Sequence, residues 1–184
     1  MLTDAMAGVT VILDDVRSLY NVGAVLRTCD GAGVRRLIAC GITPYPSLGH
    51  LDLRRGAVAA RADRELRKTA LGAFGHVEVQ YAPDPLEAIE RVRRAGATVV
   101  AVERTPTSEV VWHAPSLDAP QLALVLGHEV EGLAPAVLER ADAVVEIPMV
   151  GAGHSLNVAV AAGVVLYEVL RRRGGAGAST RSRP

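Results

Sequence analysis

The stretch Ile147-Pro148-Met149-Val150-Gly151-Ala152-Gly153-His154-Ser155-Leu156-Asn157-Val158-Ala159-Val160-Ala161 decides how this 184-residue chain is read. A buried strand is expected to end at Pro148, a glycine-bearing loop to follow, and a very apolar helix to start near Asn157. Ser155 and Asn157 then stand where loop becomes helix, beside unpaired backbone N–H groups and the positive end of the helix dipole. Core packing alone gives little reason for two polar side chains there, so the junction reads as a binding site. A capping role for the same residues is compatible with that reading.

Working outward, apolar runs bounded by turn residues recur at 9–13, 35–40, 77–81, 97–102, 122–126 and 143–147. Continuous Val/Ile/Leu runs of this length suit strands buried on both faces, which implies an α/β fold with a mainly parallel sheet. Helical patterns lie between them. Residues 21–32 place Val22, Val25, Leu26 and Cys29 on one face and end at Gly33. Residues 85–95 begin with a proline, space Leu86, Ile89 and Val92 along one side, and offer Glu87–Arg91 and Glu90–Arg94 pairs to solvent. The last helix, 157–173, is apolar nearly all round and is expected to be buried or to face a partner subunit. Arg171, Arg172 and Arg173 read as its solvated end, Gly174 as its stop, and 174–184 as a disordered Gly/Ser/Arg tail on one domain spanning 1–173.

Composition narrows the classes. Hydrophobic residues reach 49%, enough for a full core, while aromatics are only 3%, which argues against an aromatic platform for single-stranded nucleic acid. Formal net charge is zero, so bulk charge announces no nucleic-acid partner. Arginine dominates the basic residues, Lys68 being the one lysine. The densest basic region is 43–73, with Arg54, Arg55, Arg61, Arg64, Arg67 and Lys68. It reads equally as the polar face of surface helices or as a phosphate-contact surface. Cys29 and Cys40 lie in apolar patterns and read as small buried hydrophobes. With no signal peptide and no membrane-length apolar run, a soluble cytoplasmic protein is expected.

Three polar clusters fall just after strands. In Asn21-Val22-Gly23-Ala24-Val25-Leu26-Arg27-Thr28, Asn21 fits a helix N-cap, Gly23 permits close approach of backbone or ligand, and Arg27 lies one to two turns along. Taken alone, Asn21 is only a cap and Arg27 only a surface residue. In Leu124-Val125-Leu126-Gly127-His128-Glu129-Val130-Glu131-Gly132-Leu133, two glycines flank an acid. Glu129 is placed to accept hydrogen bonds from a substrate or basic partner, or to cap a helix over 133–140. The third cluster holds Ile147, Met149, Ser155, Leu156 and Asn157. Ligands of open α/β sheets bind beyond the carboxyl ends of strands, so the second and third clusters describe one pocket economically. His128-Glu129 lacks the second histidine of a zinc protease, since that position is Gly132. The sequence 153–157 ends in Asn157 where a nucleophile elbow needs glycine. Five histidines and two apolar cysteines give no metal set.

Taken in order and spacing, Asn21–Thr28, Gly127–Leu133 and Ile147-Pro148-Met149…Ser155-Leu156-Asn157-Val158 resemble the three motifs of SpoU-type (TrmH-like) RNA methyltransferases of the SPOUT superfamily. The resemblance implies a sheet with helices on both faces and a C-terminal trefoil knot. It implies a homodimer that binds S-adenosylmethionine in the knot and methylates ribose 2′-hydroxyls in tRNA or rRNA. By motif, Gly127, Ile147, Met149 and Leu156 would contact the methyl donor. Arg27 would be the catalytic arginine, helped by Asn21, Glu129, Ser155 and Asn157. His128 stands where asparagine is frequent, and Ala152-Gly153-His154 replaces a loop that often carries lysine. Guanidinium is effectively always protonated, so Arg27 is expected to act electrostatically on phosphate and developing alkoxide rather than as a base. A catalytically silent RNA-binding or assembly protein on the same scaffold, and a nucleotide-binding α/β protein of another family, are the competing readings.

Overall fold

The computed structural model describes residues 5–49, 52, 54–73 and 75–174. Seven strands form a single sheet: β1 Val9–Asp14, β2 Arg36–Cys40, β3 Glu78–Ala82, β4 Thr98–Val102, β5 Glu109–Val110, β6 Leu122–Leu126 and β7 Ala143–Glu146. Its order is β3-β2-β1-β6-β4-β7-β5, and every pairing is parallel. The helices are α1 Leu19–Ala32, α2 Gly56–Ala70, α3 Pro85–Arg94, α4 Pro135–Arg140 and α5 Val158–Arg172.

Period-two alternation along the central strands builds a core on each face of the sheet. Val9, Val11 and Leu13 of β1 and Leu122, Leu124 and Leu126 of β6 pack with α1, α2 and α5. Ile12 of β1, Ile38 of β2 and Ala123 and Val125 of β6 face α3 and α4. Both faces are covered, as the unbroken apolar runs require. Only Val145 of β7 is fully buried, because β7 lies next to the edge, and the strand stops at Glu146 rather than running on to Pro148. The two-residue edge strand β5 carries a carboxylate and no apolar run, so nothing in its sequence marks it.

Gly33 ends α1 in the left-handed conformation at φ 86°, donating its N–H back into the last turn. The first turn of α1 differs from expectation. The helix begins at Leu19, and Ser18, not Asn21, is the N-cap, its hydroxyl accepting from the Asn21 N–H at 3.3 Å. Gly23 serves helix packing: a Cβ there would overlap the Thr69 side chain of α2. In α3, Glu90 pairs with Arg140 of α4 at 3.3 Å instead of with Arg94. Both cysteines are free and buried; burial pushes the Cys29 thiol up to about 12.

The arginines ending α5 also depart from expectation. Arg172 donates to the carbonyls of Ala114 and Val111 at 2.9 Å and pairs with the 6% exposed Glu168 at 2.8 Å. Arg171 reaches the other carboxylate oxygen at 2.8 Å, and Arg173 donates to the Ala5 and Ala119 carbonyls. This helix end is a staple across three segments, not a solvated terminus. The tail expected over 174–184 lies, beyond Gly174, outside the described residues.

Candidate active site

Three neighbouring strands, β6, β4 and β7, end at the same rim of the sheet, and a cavity of about 370 Å³ opens there. That volume lies in the range of small-molecule sites. Its walls come from the residues following each strand: Glu103 and Arg104 after β4, Gly127 to Gly132 after β6, and Ile147, Met149 and His154 to Leu156 after β7. All four residues expected to hold a cofactor, Gly127, Ile147, Met149 and Leu156, line it, together with Glu129 and Ser155.

The 127–133 loop is shaped by its glycines. A Cβ on Gly127 would lie 2.6 Å from the Gly132 carbonyl oxygen and 2.8 Å from Leu133 Cδ2, so only glycine fits that close approach. Gly132 takes φ 69° and rests against the Glu103 carboxylate, which accepts from the Leu133 N–H at 3.0 Å and the Arg104 N–H at 2.9 Å. His128 Nδ1 accepts from the Val130 and Glu131 N–H groups, both at 3.1 Å. The ring proton therefore belongs on Nε2, which is buried without a partner among the described residues.

Glu129 leaves that loop to reach α1. Its carboxylate accepts from the Asn21 side-chain amide at 2.8 Å and from the Arg17 and Ser18 N–H groups at 3.3 Å. It therefore caps the positive end of α1; α4 begins at Pro135 with no side-chain cap. Burial alone would raise the Glu129 carboxyl, but these donors outweigh it and hold it below its ordinary value. Asn21 in turn accepts from the Asn157 amide at 3.0 Å, while the Asn157 side-chain oxygen caps α5 by accepting the Ala159 N–H at 2.9 Å. Two side-chain hydrogen bonds thus wire together Glu129, Asn21 and Asn157, which lie up to 136 residues apart.

Ser155 is exposed on the cavity rim. Arg27 is exposed on α1, makes no hydrogen bond or ion pair with the described residues, and is not among the residues lining the cavity. The geometry therefore gathers eight of the nine expected site residues, six on the cavity and Asn21 and Asn157 hydrogen-bonded behind it, and leaves Arg27 apart. Sequence reasoning missed Glu103. The signal was available: the 97–102 run is followed at once by Glu103-Arg104, at the same carboxyl rim as the other loops. Among the described residues no group of three or more His, Cys, Asp or Glu is placed to hold a metal, and no helix is long and apolar enough to cross a membrane.

Known proteins share this fold. A Staphylococcus haemolyticus chain assigned to the TrmH family of tRNA/rRNA methyltransferases is 31% identical over 163 residues, covering 89% of this chain. The present chain spans only 58% of that relative's length. An AdoMet-bound rRNA methyltransferase from Sinorhizobium meliloti superposes with a TM-score of 0.74 at 28% identity, over 89% of this chain and 56% of its own. A protein described for 2-OH methylation of C/U34 on tRNA superposes at 0.69 and 28% identity, over 91% and 97%. With the SpoU rRNA methylase family model matching residues 8–167, the whole sheet and both glycine loops, the chain belongs to that family.

Proposed function

We propose that this chain is an S-adenosylmethionine-dependent RNA methyltransferase that modifies a ribose 2′-hydroxyl in tRNA or rRNA. The observation that carries this reading is that two separate sequence motifs wall one cavity and the third, through Asn21, is joined to both of them behind it by side-chain hydrogen bonds. The lining suits the cofactor: Ile147, Met149 and Leu156 give an apolar wall, and the 127–132 backbone gives polar groups at close range. S-adenosylmethionine, when bound, supplies a methyl group already activated on a sulfonium, so alignment and removal of one hydroxyl proton remain to be provided.

This chain's residues supply the alignment, and the hydroxyl proton passes to solvent water. Glu129, held by three donors, fixes the 127–133 loop against α1. Asn157 ties the start of α5 to the same point. The Ser155 hydroxyl stands at the rim, placed to orient an incoming ribose. Arg27 supplies positive charge to the phosphate beside the target sugar and to the oxygen as it loses its proton. Exposed Tyr20, Arg27 and Gly31 and half-buried Ala24 on α1 lie beside exposed Val160 and Tyr167 on α5. We infer that this apolar face pairs two copies of the chain, which brings Arg27 to the boundary between them. We also infer the trefoil knot, supported by the return of α5 from the 147–157 loop onto α1, and a cytoplasmic location.

Arg27's separation from the cavity favours one competitor, a silent RNA-binding scaffold. The test is transfer of labelled methyl from S-adenosylmethionine to unmodified tRNA and, separately, rRNA, followed by mapping of methylated riboses. The tRNA arm comes first, because the C/U34-directed protein is matched over nearly its whole chain. Label on a ribose oxygen is expected; donor binding with no transfer to either RNA would favour the scaffold.

A further inference from the structure

Arginines in this chain divide by what they already hold. Those ending α5 are spent on Glu168 and on backbone carbonyls. On α3, Arg93 is committed to Asp142 and to the Arg140 carbonyl, both at 2.7 Å, and Glu87 and Glu90 lie among its neighbours. Arg54, just before α2, is likewise consumed. It pairs with Asp52 at 2.6 Å, donates to the Tyr45 and Pro46 carbonyls, and stacks 3.6 Å from the Tyr45 ring centroid.

The body of α2 is different. Within Gly56–Ala70 stand four basic and two acidic side chains, in a chain of zero formal net charge, and Arg67 pairs with Asp63 at 2.7 Å. Arg61, Arg64 and Lys68 fall at i, i+3 and i+7, all exposed, on one stripe about 10 Å long. The Arg55 and Arg61 side chains make no hydrogen bond or ion pair with the described residues, while Arg64 and Lys68 share Glu65 at 3.6 and 3.0 Å. Exposed pairs of this kind are weak and exchange readily for phosphate. The opposite face of α2, with Ala59, Ala62, Leu66 and Ala70, is buried, so the helix cannot turn its charges elsewhere.

Placement supplies the second argument. The last turn of α2 sits directly against the first turns of α1, at Gly23 beside Thr69 and Ala70. Lys68 therefore adjoins the helix that carries Asn21 and Arg27, and the stripe leads away from it through Arg64 to Arg61.

We propose that this exposed basic stripe of α2 grips the phosphate backbone of the RNA and extends the substrate surface from α1. The proposal rests on the RNA-methyltransferase reading above. It assigns to Arg61, Arg64 and Lys68 binding without sequence readout, as phosphate contacts give.

The test is fluorescence anisotropy of labelled bulk bacterial tRNA, titrated with the full chain across a range of salt concentrations. Each phosphate contact contributes roughly 0.7 to 0.9 to the slope of log affinity against log salt. The triple variant Arg61→Gln/Arg64→Gln/Lys68→Gln is expected to flatten that slope by about 2 to 3 and to weaken low-salt binding at least about tenfold. Calorimetric affinity for S-adenosylmethionine should not change. Replacement of the two arginines by lysine should keep the slope, and Arg91→Gln/Arg94→Gln on α3 should leave binding as it was. A triple variant with wild-type slope and affinity overturns the proposal, as does an equal loss from the α3 variant. If the wild type still binds donor and methylates RNA, only this inference falls. If the wild type binds neither donor nor tRNA, the functional reading falls with it.

Discussion

The two ends of α5 use polar side chains in opposite ways. At its start, Asn157 and Ser155 are exposed beside a cavity, and Asn157 links to Asn21 and caps the helix with a single amide. At its finish, Glu168 is buried beneath Arg171 and Arg172, and Arg172 and Arg173 tie the helix to 111–120 and to Ala5. One end keeps donors and acceptors near open space; the other commits nearly all of them to the body of the protein. Residue type does not separate the two cases. Commitment does, and it is visible only once the partners distant in sequence are in place.

That contrast should break along four lines if it is wrong. Removing the uncommitted guanidinium, Arg27→Ala, should cost at least about a hundredfold in methyl transfer. Affinity for S-adenosylmethionine and the melting temperature should stay close to wild type, and a parallel loss of donor binding would count against an electrostatic role. At the committed end, Glu168→Ala leaves two arginines without their buried carboxylate and should cost about 3 kcal/mol in denaturant unfolding, with donor affinity retained. The sign with pH is fixed. Arg171 foremost, then Arg172, hold the Glu168 carboxyl down at about 2 against burial, so its contribution is full above about 4.5 and fades as pH falls toward 2. The Glu168→Ala penalty should shrink over that window in unfolding measured by circular dichroism.

Next in size, Gly127→Ala forces a methyl into the Gly132 backbone and should destabilise by about 1 to 3 kcal/mol while weakening donor binding. Unchanged calorimetric affinity would mean that the loop's shape does not matter to the cavity. The smallest effect is expected at Asp14, at the carboxyl end of β1. Burial foremost, then Asp15 and Asp84, raise its carboxyl to about 6, with His128 pulling the other way. Its native form therefore resists ionisation, and the cost appears as pH rises through about 6. Asp14→Asn should raise the melting temperature more at pH 8 than at pH 5, and equal shifts would show that its charge carries no penalty.

Much of this was legible in the chain. Uninterrupted Val/Ile/Leu runs located six strands, since strands covered on both faces need no polar positions. Two glycine loops pointed to one rim of the sheet because ligand sites of such sheets gather there. What escaped depended on distant partners. Asn21 read as a cap because asparagine before an apolar helix usually is one, yet Ser18 had already taken that role. Glu129 read as an acceptor for a substrate or basic partner, or as a cap for a helix over 133–140, when its partners were about 110 residues away at the start of α1. The arginine run of α5 read as solvated because no local pattern announces carbonyls at 111, 114 and 119. In 43–73 the pattern left open how many charges were spent; Asp52 and Tyr45 settle that for Arg54, and Asp63 for Arg67.

The claim on which all of this depends is that the hollow between residues 127–132 and 147–156 is where the methyl donor sits. A crystal structure of the chain grown with S-adenosylmethionine measures that directly. The account predicts electron density for the donor against Gly127, Ile147, Met149 and Leu156, with the Asn157–Asn21–Glu129 hydrogen bonds intact. Donor density anywhere else on the molecule, with that hollow filled only by water, would contradict it.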